Sequence, residues 1–142
     1  GFYFFQNPGV DSVGCAKNKY NNYQPNFSTF RGDNESDRIQ NLLEEGKGAE
    51  VEKILKDQKP LDQYLLAHAF FLQGKYEEAL SSFQSIASKT DSDANAADFY
   101  SALSLFALER EENALTMLRG IGQDDNHTFK VLAIDVLKEW EK

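Results

Sequence analysis

Two histidines, one cysteine and three pairs of adjacent glutamates are the residues of this 142-residue chain with the most obvious chemistry. His68 and His127 stand 59 positions apart (127 − 68), and neither has a carboxylate or cysteine near it at metal-ligand spacing. Cys15 is the only cysteine, which excludes an intrachain disulfide and a paired-cysteine metal site. A cysteine–histidine nucleophile would need a third group to orient the base, and nothing in the sequence supplies one. Glu44-Glu45, Glu77-Glu78 and Glu111-Glu112 are adjacent on helix-forming stretches, so their carboxylates diverge and read as solvated surface charge. Gly46-Lys47 and Gly74-Lys75 lack the remainder of a phosphate-binding loop. These residues therefore predict no catalytic group, no cofactor and no metal. His68 is expected in a groove or core, and His127 exposed beside a helix cap.

Shorter motifs carry little. Ser12-Val13-Gly14-Cys15 is similar to the end of a lipoprotein cleavage box, but Gln6, Asn7, Pro8 and Asp11 interrupt the apolar stretch it requires. Arg31-Gly32-Asp33 spells an adhesion tripeptide and reads as a turn. Asn26, Asn34 and Asn126 begin glycosylation sequons, which act only in a host that modifies them. The net charge of -8 and pI of about 4.7 make nucleic acid and anionic membrane surfaces poor partners, since an acidic chain gains no counterion release.

The elements that would position functional side chains are helical from residue 36 onward. Ile39, Leu42 and Leu43 have i, i+3, i+4 spacing, with Gly46 and Gly48 as stops. Val51, Ile54 and Leu55 form a second short face. Pro60 suits a first helical turn, and a helix over Leu61–Gln73 ends at Gly74. Tyr76, Ala79, Leu80, Phe83, Ile86 and Ala87 mark the next face. Asp91-Ser92-Asp93 reads as a capping loop before Ala96–Leu108, and Asn113–Leu118 follows. Phe129 to Trp140 is a last amphipathic helix, with Asn126 as its cap. About seven helices with short loops imply antiparallel neighbours. Residues 1–35 differ: Gly, Pro, Asn and Ser mix with Tyr20, Tyr23, Phe27 and Phe30, without helical period, so an irregular, ordered segment is expected. No run of about 20 apolar residues spans a membrane. The aromatics Phe2-Tyr3-Phe4-Phe5 look like the interfacial end of a truncated transmembrane helix, with Gly1 as a tag-removal scar; the alternative is that they simply pack on the domain.

A repeat underlies the helices. In Leu65–Ile86, Ala67, Gly74, Tyr76, Ala79 and Phe83 resemble the small, turn, aromatic, small and large positions of a tetratricopeptide (TPR) unit. In Phe99–Ile121, Ala102, Ala114 and Leu118 repeat the pattern 35 positions on (114 − 79), while Glu109 and Glu111 replace Gly74 and Tyr76. An earlier unit, Ile39–Leu55, turns at Gly46, only 28 positions before Gly74 (74 − 46). The resemblance implies an all-α fold: a TPR-like right-handed array of about three helical hairpins over residues 36–142, closed by a capping helix. The wider chain, through Phe2–Phe5, Tyr20–Asn26 and Arg31–Asp33, resembles membrane-anchored TPR proteins of Bacteroidetes. That likeness implies a periplasmic module tethered by an upstream membrane segment.

The TPR resemblance also implies where a partner would dock. Groove positions fall on Tyr64, His68 and Phe71 in one unit and Phe99, Leu103 and Phe106 in the next. No Lys–Asn clamp for a peptide carboxylate stands there. An open apolar groove is a liability in water, so the aromatic stretch Tyr20–Phe30 is expected to fill it, as a groove-filling strand, unless residues 1–35 are only a tether. The chain is read as a non-enzymatic scaffold or adaptor binding a protein or peptide. The alternative is a small-ligand, peptide or glycan module using the aromatic groove. A homodimer through a terminal hairpin is open to either.

Overall fold

The computed structural model describes residues 11–22, 34–58, 61–88 and 93–140. Eight helices account for the regular structure of these residues: α1 (Ser12–Asn22), α2 (Asn34–Glu44), α3 (Gly48–Lys56), α4 (Gln63–Leu72), α5 (Tyr76–Ala87), α6 (Ala94–Ala107), α7 (Glu111–Gly122) and α8 (Lys130–Trp140). α2–α3, α4–α5 and α6–α7 are antiparallel hairpins, and each stacks on the next through α3–α4, α5–α6 and α7–α8. This is the expected array of three hairpins with a closing helix. The additional element is α1, which lies against α6.

The hairpins share one turn. Gly46, Gly74 and Glu109 all have positive φ, at 76°, 78° and 62°. At each, two backbone bonds close the helix: Lys47 N–H to the Leu42 carbonyl and Gly46 N–H to Leu43, Lys75 to Phe70 and Gly74 to Phe71, Arg110 to Leu105 and Glu109 to Phe106, all at 2.8–3.0 Å. These pairs satisfy carbonyls that a helix end leaves open. The third turn keeps its geometry without glycine, holding a glutamate in a left-handed conformation that costs about 1–2 kcal/mol for a residue with a Cβ. Glu109→Gly is accordingly expected to raise stability by about 0.5–1 kcal/mol, net of the entropy glycine gives the unfolded chain, measured by urea denaturation.

The first hairpin is in register with the others despite the short spacing. Ile39, Val51 and Leu55 hold the places of Ala67, Ala79 and Phe83 relative to the turn, and all six are buried. The interval shrinks because α3 has nine residues where α5 has twelve, and α4 has ten where α6 has fourteen. Gly48 begins α3 and lets it approach α4: a Cβ there would lie 2.4 Å from the Ala69 carbonyl oxygen. Backbone cannot retreat as a side-chain tip does, so Gly48→Ala is expected to cost about 1–3 kcal/mol, read as a lower melting temperature with helix content retained.

Glu52 on α3 ties the first hairpin to the second turn. Its carboxylate accepts from Gln73 Nε2 at 2.7 Å and Lys75 Nζ at 3.1 Å, and pairs with Lys56. The Lys56 ammonium, then the Gln73 amide, hold its pKa down to about 2. The core runs through all three hairpins, with Phe83, Phe99, Phe106, Leu103 and Leu118 fully buried and Tyr100 nearly so.

Three expectations change at the helix starts. α4 begins at Gln63 rather than Leu61, because the Asp62 carboxylate accepts from Leu65 N–H at 3.1 Å and caps it; Pro60 lies outside the described residues. α8 begins at Lys130, and its entry is shaped by His127, not Asn126. His127 Nδ1 accepts the Phe129 N–H at 3.0 Å, which leaves the proton on Nε2, 3.1 Å from the Asp98 carboxylate. His127 is therefore a buried staple between α8 and α6, whereas the sequence reading expected it exposed. Finally, residues 12–22 are helical where an irregular segment was expected. Asp11 caps α1 by accepting from Gly14 N–H at 2.5 Å. The tripeptide at 31–33, the sequon at 26 and the aromatics Phe2–Phe5, Tyr23, Phe27 and Phe30 lie outside the described residues.

Candidate functional site

α4 and α6 are the first helices of their hairpins, and each carries groove positions at i, i+4 and i+7, the spacing of one helix face. Tyr64, His68 and Phe71 come from α4; Phe99, Leu103 and Phe106 come from α6. All six are buried, and their contacts divide them. Phe99 stacks on Phe129 at 5.1 Å between ring centroids, and Phe106 packs on Trp140 at 5.0 Å, so both bear on the closing helix and its entry. Tyr64 meets His68 edge-on at 4.6 Å and Phe83 at 6.3 Å. His68 and Phe71 face α1.

The α1 contact centres on Tyr20. Its ring stacks on Phe71 at 4.3 Å and 13°, and meets Tyr100 of α6 edge-on at 5.6 Å. Its hydroxyl shares a 2.7 Å hydrogen bond with His68 Nδ1. His68 sits among rings, with Phe83 at 4.9 Å and Tyr100 at 4.8 Å besides Tyr64. Burial there pushes its pKa down to about 3, so it is a neutral imidazole at pH 7. Burial likewise raises the pKa of Tyr20, Tyr64 and Tyr100, keeping all three phenols protonated. The arrangement binds a hydroxyl-bearing ring by stacking, edge contact and one hydrogen bond.

Farther along the face, Lys19 is buried to 4% exposure, an unusual state for a lysine unless it is paired. Its ammonium bridges to Glu139 and lies 3.9 Å from Asp135, both on α8 and one turn apart. α1 thus bears on α4, α6 and α8, with Tyr20 turned toward α4 and α6 and its neighbour Lys19 turned toward α8. Ser12 and Ala16, also buried, complete its inward stripe at i, i+4, i+7 and i+8. Cys15 lies beside that stripe, half-buried. Desolvation raises its pKa, so it is a thiol with little nucleophilic character.

The covering of α6 follows from this packing. Every residue from Phe99 to Ala107 is buried, including Ser101 and Ser104, whose hydroxyls donate to the Ala97 and Tyr100 carbonyls at 2.7 and 2.9 Å. A helix apolar on all sides needs neighbours on all sides. α5 and α7 supply two, and α1 supplies the third. Tyr20 belongs to the stretch expected to fill the groove; the helical form of its segment, the Lys19–Asp135–Glu139 cluster and Tyr100 were not anticipated. The available signal was Asp11 as a cap followed by Ala16 and Tyr20 four residues apart, which the small and polar residues between them obscure.

Among the described residues no group of three or more histidines, cysteines and acids lies together to hold a metal ion. The chain matches the family whose model is described as anaphase-promoting complex, cyclosome, subunit 3, over residues 50–128. No curated protein and no solved structure gives a match. The matched stretch runs from α3 to the entry of α8 and contains the α4–α5 and α6–α7 hairpins whole. Repeat families of this TPR-like kind present extended surfaces to protein partners and are generally non-catalytic. With more than half of its residues inside that match and an all-helical array of hairpins around them, the chain belongs to the TPR-like repeat family described as anaphase-promoting complex, cyclosome, subunit 3.

Proposed function

We propose that this protein is a non-catalytic interaction module, a scaffold or adaptor, that engages protein partners through the face built by α4, α6 and α8. The observation that carries the reading is the state of that face: it is lined by Phe71, Tyr100 and His68 and covered by a helix of the chain itself. A face made to hold a helix is suited to a protein segment. Among the described residues, the rings of Tyr64, Phe71, Phe99 and Phe106 are all covered, which favours a protein segment over a glycan on this face.

No helix among the described residues is long and apolar enough to cross a membrane. On the resemblance of Phe2–Phe5 and Tyr20–Asn26 to membrane-anchored bacterial proteins, the module works on the periplasmic side, tethered upstream. The charge of -8 argues against a nucleic-acid partner.

Panning the full chain against a displayed peptide library, beside a glycan array, tests the function. Peptides should be enriched, and their binding should fall at least tenfold with Phe71→Ala. Glycan binding without any peptide binding would overturn the proposal in favour of a small-ligand module.

A further inference from the structure

The residues of α1 that face inward define what the face accepts. Ser12, Ala16, Lys19 and Tyr20 are each at most 4% exposed, whereas Gly14, Lys17, Asn18 and Asn21 point to solvent. Three places result. A half-exposed carboxylate pair one turn apart, Asp135 and Glu139, takes a cation. A ring slot between Phe71 and Tyr100 takes an aromatic, and His68 Nδ1 at its end pairs with a hydroxyl. The fully buried Ala16 marks a point on the side of α1 turned to the array that holds a small side chain.

α1 is poorly suited to exist as a helix alone. It has eleven residues, with Gly14 and three asparagines among them. Isolated helices below about 12–15 residues are marginal even in favourable sequences, and glycine and asparagine lower propensity further. Its order comes from docking. The array beneath is joined by its own hairpin contacts and by the core from Ile39 to Val136.

We propose that α1 is a ligand docked in cis, and that the same face accepts helical segments of partner proteins carrying a small residue, a Lys or Arg three positions on, and a tyrosine immediately after. A partner helix with this triad and better intrinsic propensity displaces α1. The proposal rests on the reading of the array as an interaction module, and supplies the chemistry of its partner.

The test titrates a fluorescent peptide of residues 11–22 into the full chain and into its Lys19→Ala/Tyr20→Ala variant, which loosens the cis helix. Binding at least tenfold tighter to the variant than to the unaltered chain is expected. Replacing the peptide's lysine by glutamate, or its tyrosine by alanine, should weaken binding at least tenfold. Equal binding by both chains, no binding by a variant that retains its helix content, or indifference to the peptide's lysine and tyrosine would each overturn the proposal. Should the variant not fold, amide exchange in the unaltered chain decides. α1 amides exchanging at least 100-fold faster than those of α4 and α6 support displacement, and α1 exchange only through global unfolding overturns it. Selection of helical peptides without the triad would overturn this assignment and leave the interaction function standing, whereas a library with no peptide ligand would strike the function itself.

Discussion

Tyr20→Ala should lower the unfolding free energy by about 3 kcal/mol, or by the whole docking energy of α1 if that is smaller, since truncating a buried aromatic costs about 3–5 kcal/mol. The loss has three parts: the ring leaves its stack on Phe71, its edge contact with Tyr100 goes, and His68 loses the hydroxyl at Nδ1. A melting temperature about 10 °C lower is expected for a domain of this size, with new binding of an environment-sensitive dye as Phe71 and Tyr100 become accessible. Tyr20→Phe keeps the stack and removes only the hydrogen bond, so about 1–2 kcal/mol should be lost. Lys17→Ala, on the exposed side of the same helix, should change stability by less than about 0.5 kcal/mol. If Tyr20→Ala and Lys17→Ala behaved alike and no dye bound, the cover formed by α1 would be energetically empty.

Acid should destabilise this protein before its carboxylates titrate, and His68 is the reason. The ordinary histidine pKa is 6.5, and burial holds His68 at about 3 in the fold. Below pH 6.5 the unfolded chain therefore takes up a proton that the folded chain refuses. Its contribution to stability is complete above pH 6.5 and is lost as pH falls toward 3, at up to about 1.4 kcal/mol per pH unit. Near pH 4.5 the loss from this one residue should reach roughly 3 kcal/mol. Glu52 acts in the same direction in a lower window. Its pKa, held at about 2 by Lys56, Gln73 and Lys75, makes its contribution full above pH 4.5 and lost between 4.5 and 2. Urea denaturation from pH 7.5 to 4.5 measures the slope, and His68→Asn should flatten it by close to one proton while lowering stability at pH 7.5. An unchanged slope in that variant would mean that His68 is protonated in the folded protein.

The repeat was legible because its signals are local. Small residues at Ala67, Ala79, Ala102 and Ala114 and large ones at Phe83 and Leu118 recur at one interval, and the structure buries all of them at the helix crossings. The first hairpin was harder to see. Its register is kept from the turn at Gly46, while a shorter α3 and a shorter α4 absorb the seven residues (35 − 28) of the interval. The third turn forms at Glu109 without a glycine. What the sequence does not show is that the glutamate takes the left-handed conformation of Gly74, which the paired backbone bonds to Leu105 and Phe106 impose.

α1 shows almost no helical periodicity in large apolar residues, the signal that marks the other helices in the sequence. Its inward stripe holds a serine, an alanine, a lysine and one tyrosine, so the hydrophobic pattern is nearly absent. Lys19 is buried only because Asp135 and Glu139 are brought to it from more than a hundred positions away. The burial of His127 is hidden in the sequence for a related reason. A histidine beside a polar loop looks exposed until Asp98 and the Phe129 N–H close on its two nitrogens.

The sequence by itself determined the hairpins, their turns and the apolar stripes, because each rests on contacts between residues within a few turns or one repeat of each other. Only the tertiary structure decided what lies on the face of α4, α6 and α8. A helix too weak to form alone takes its shape from the surface it meets, and that surface exists only once two hairpins and the closing helix have stacked.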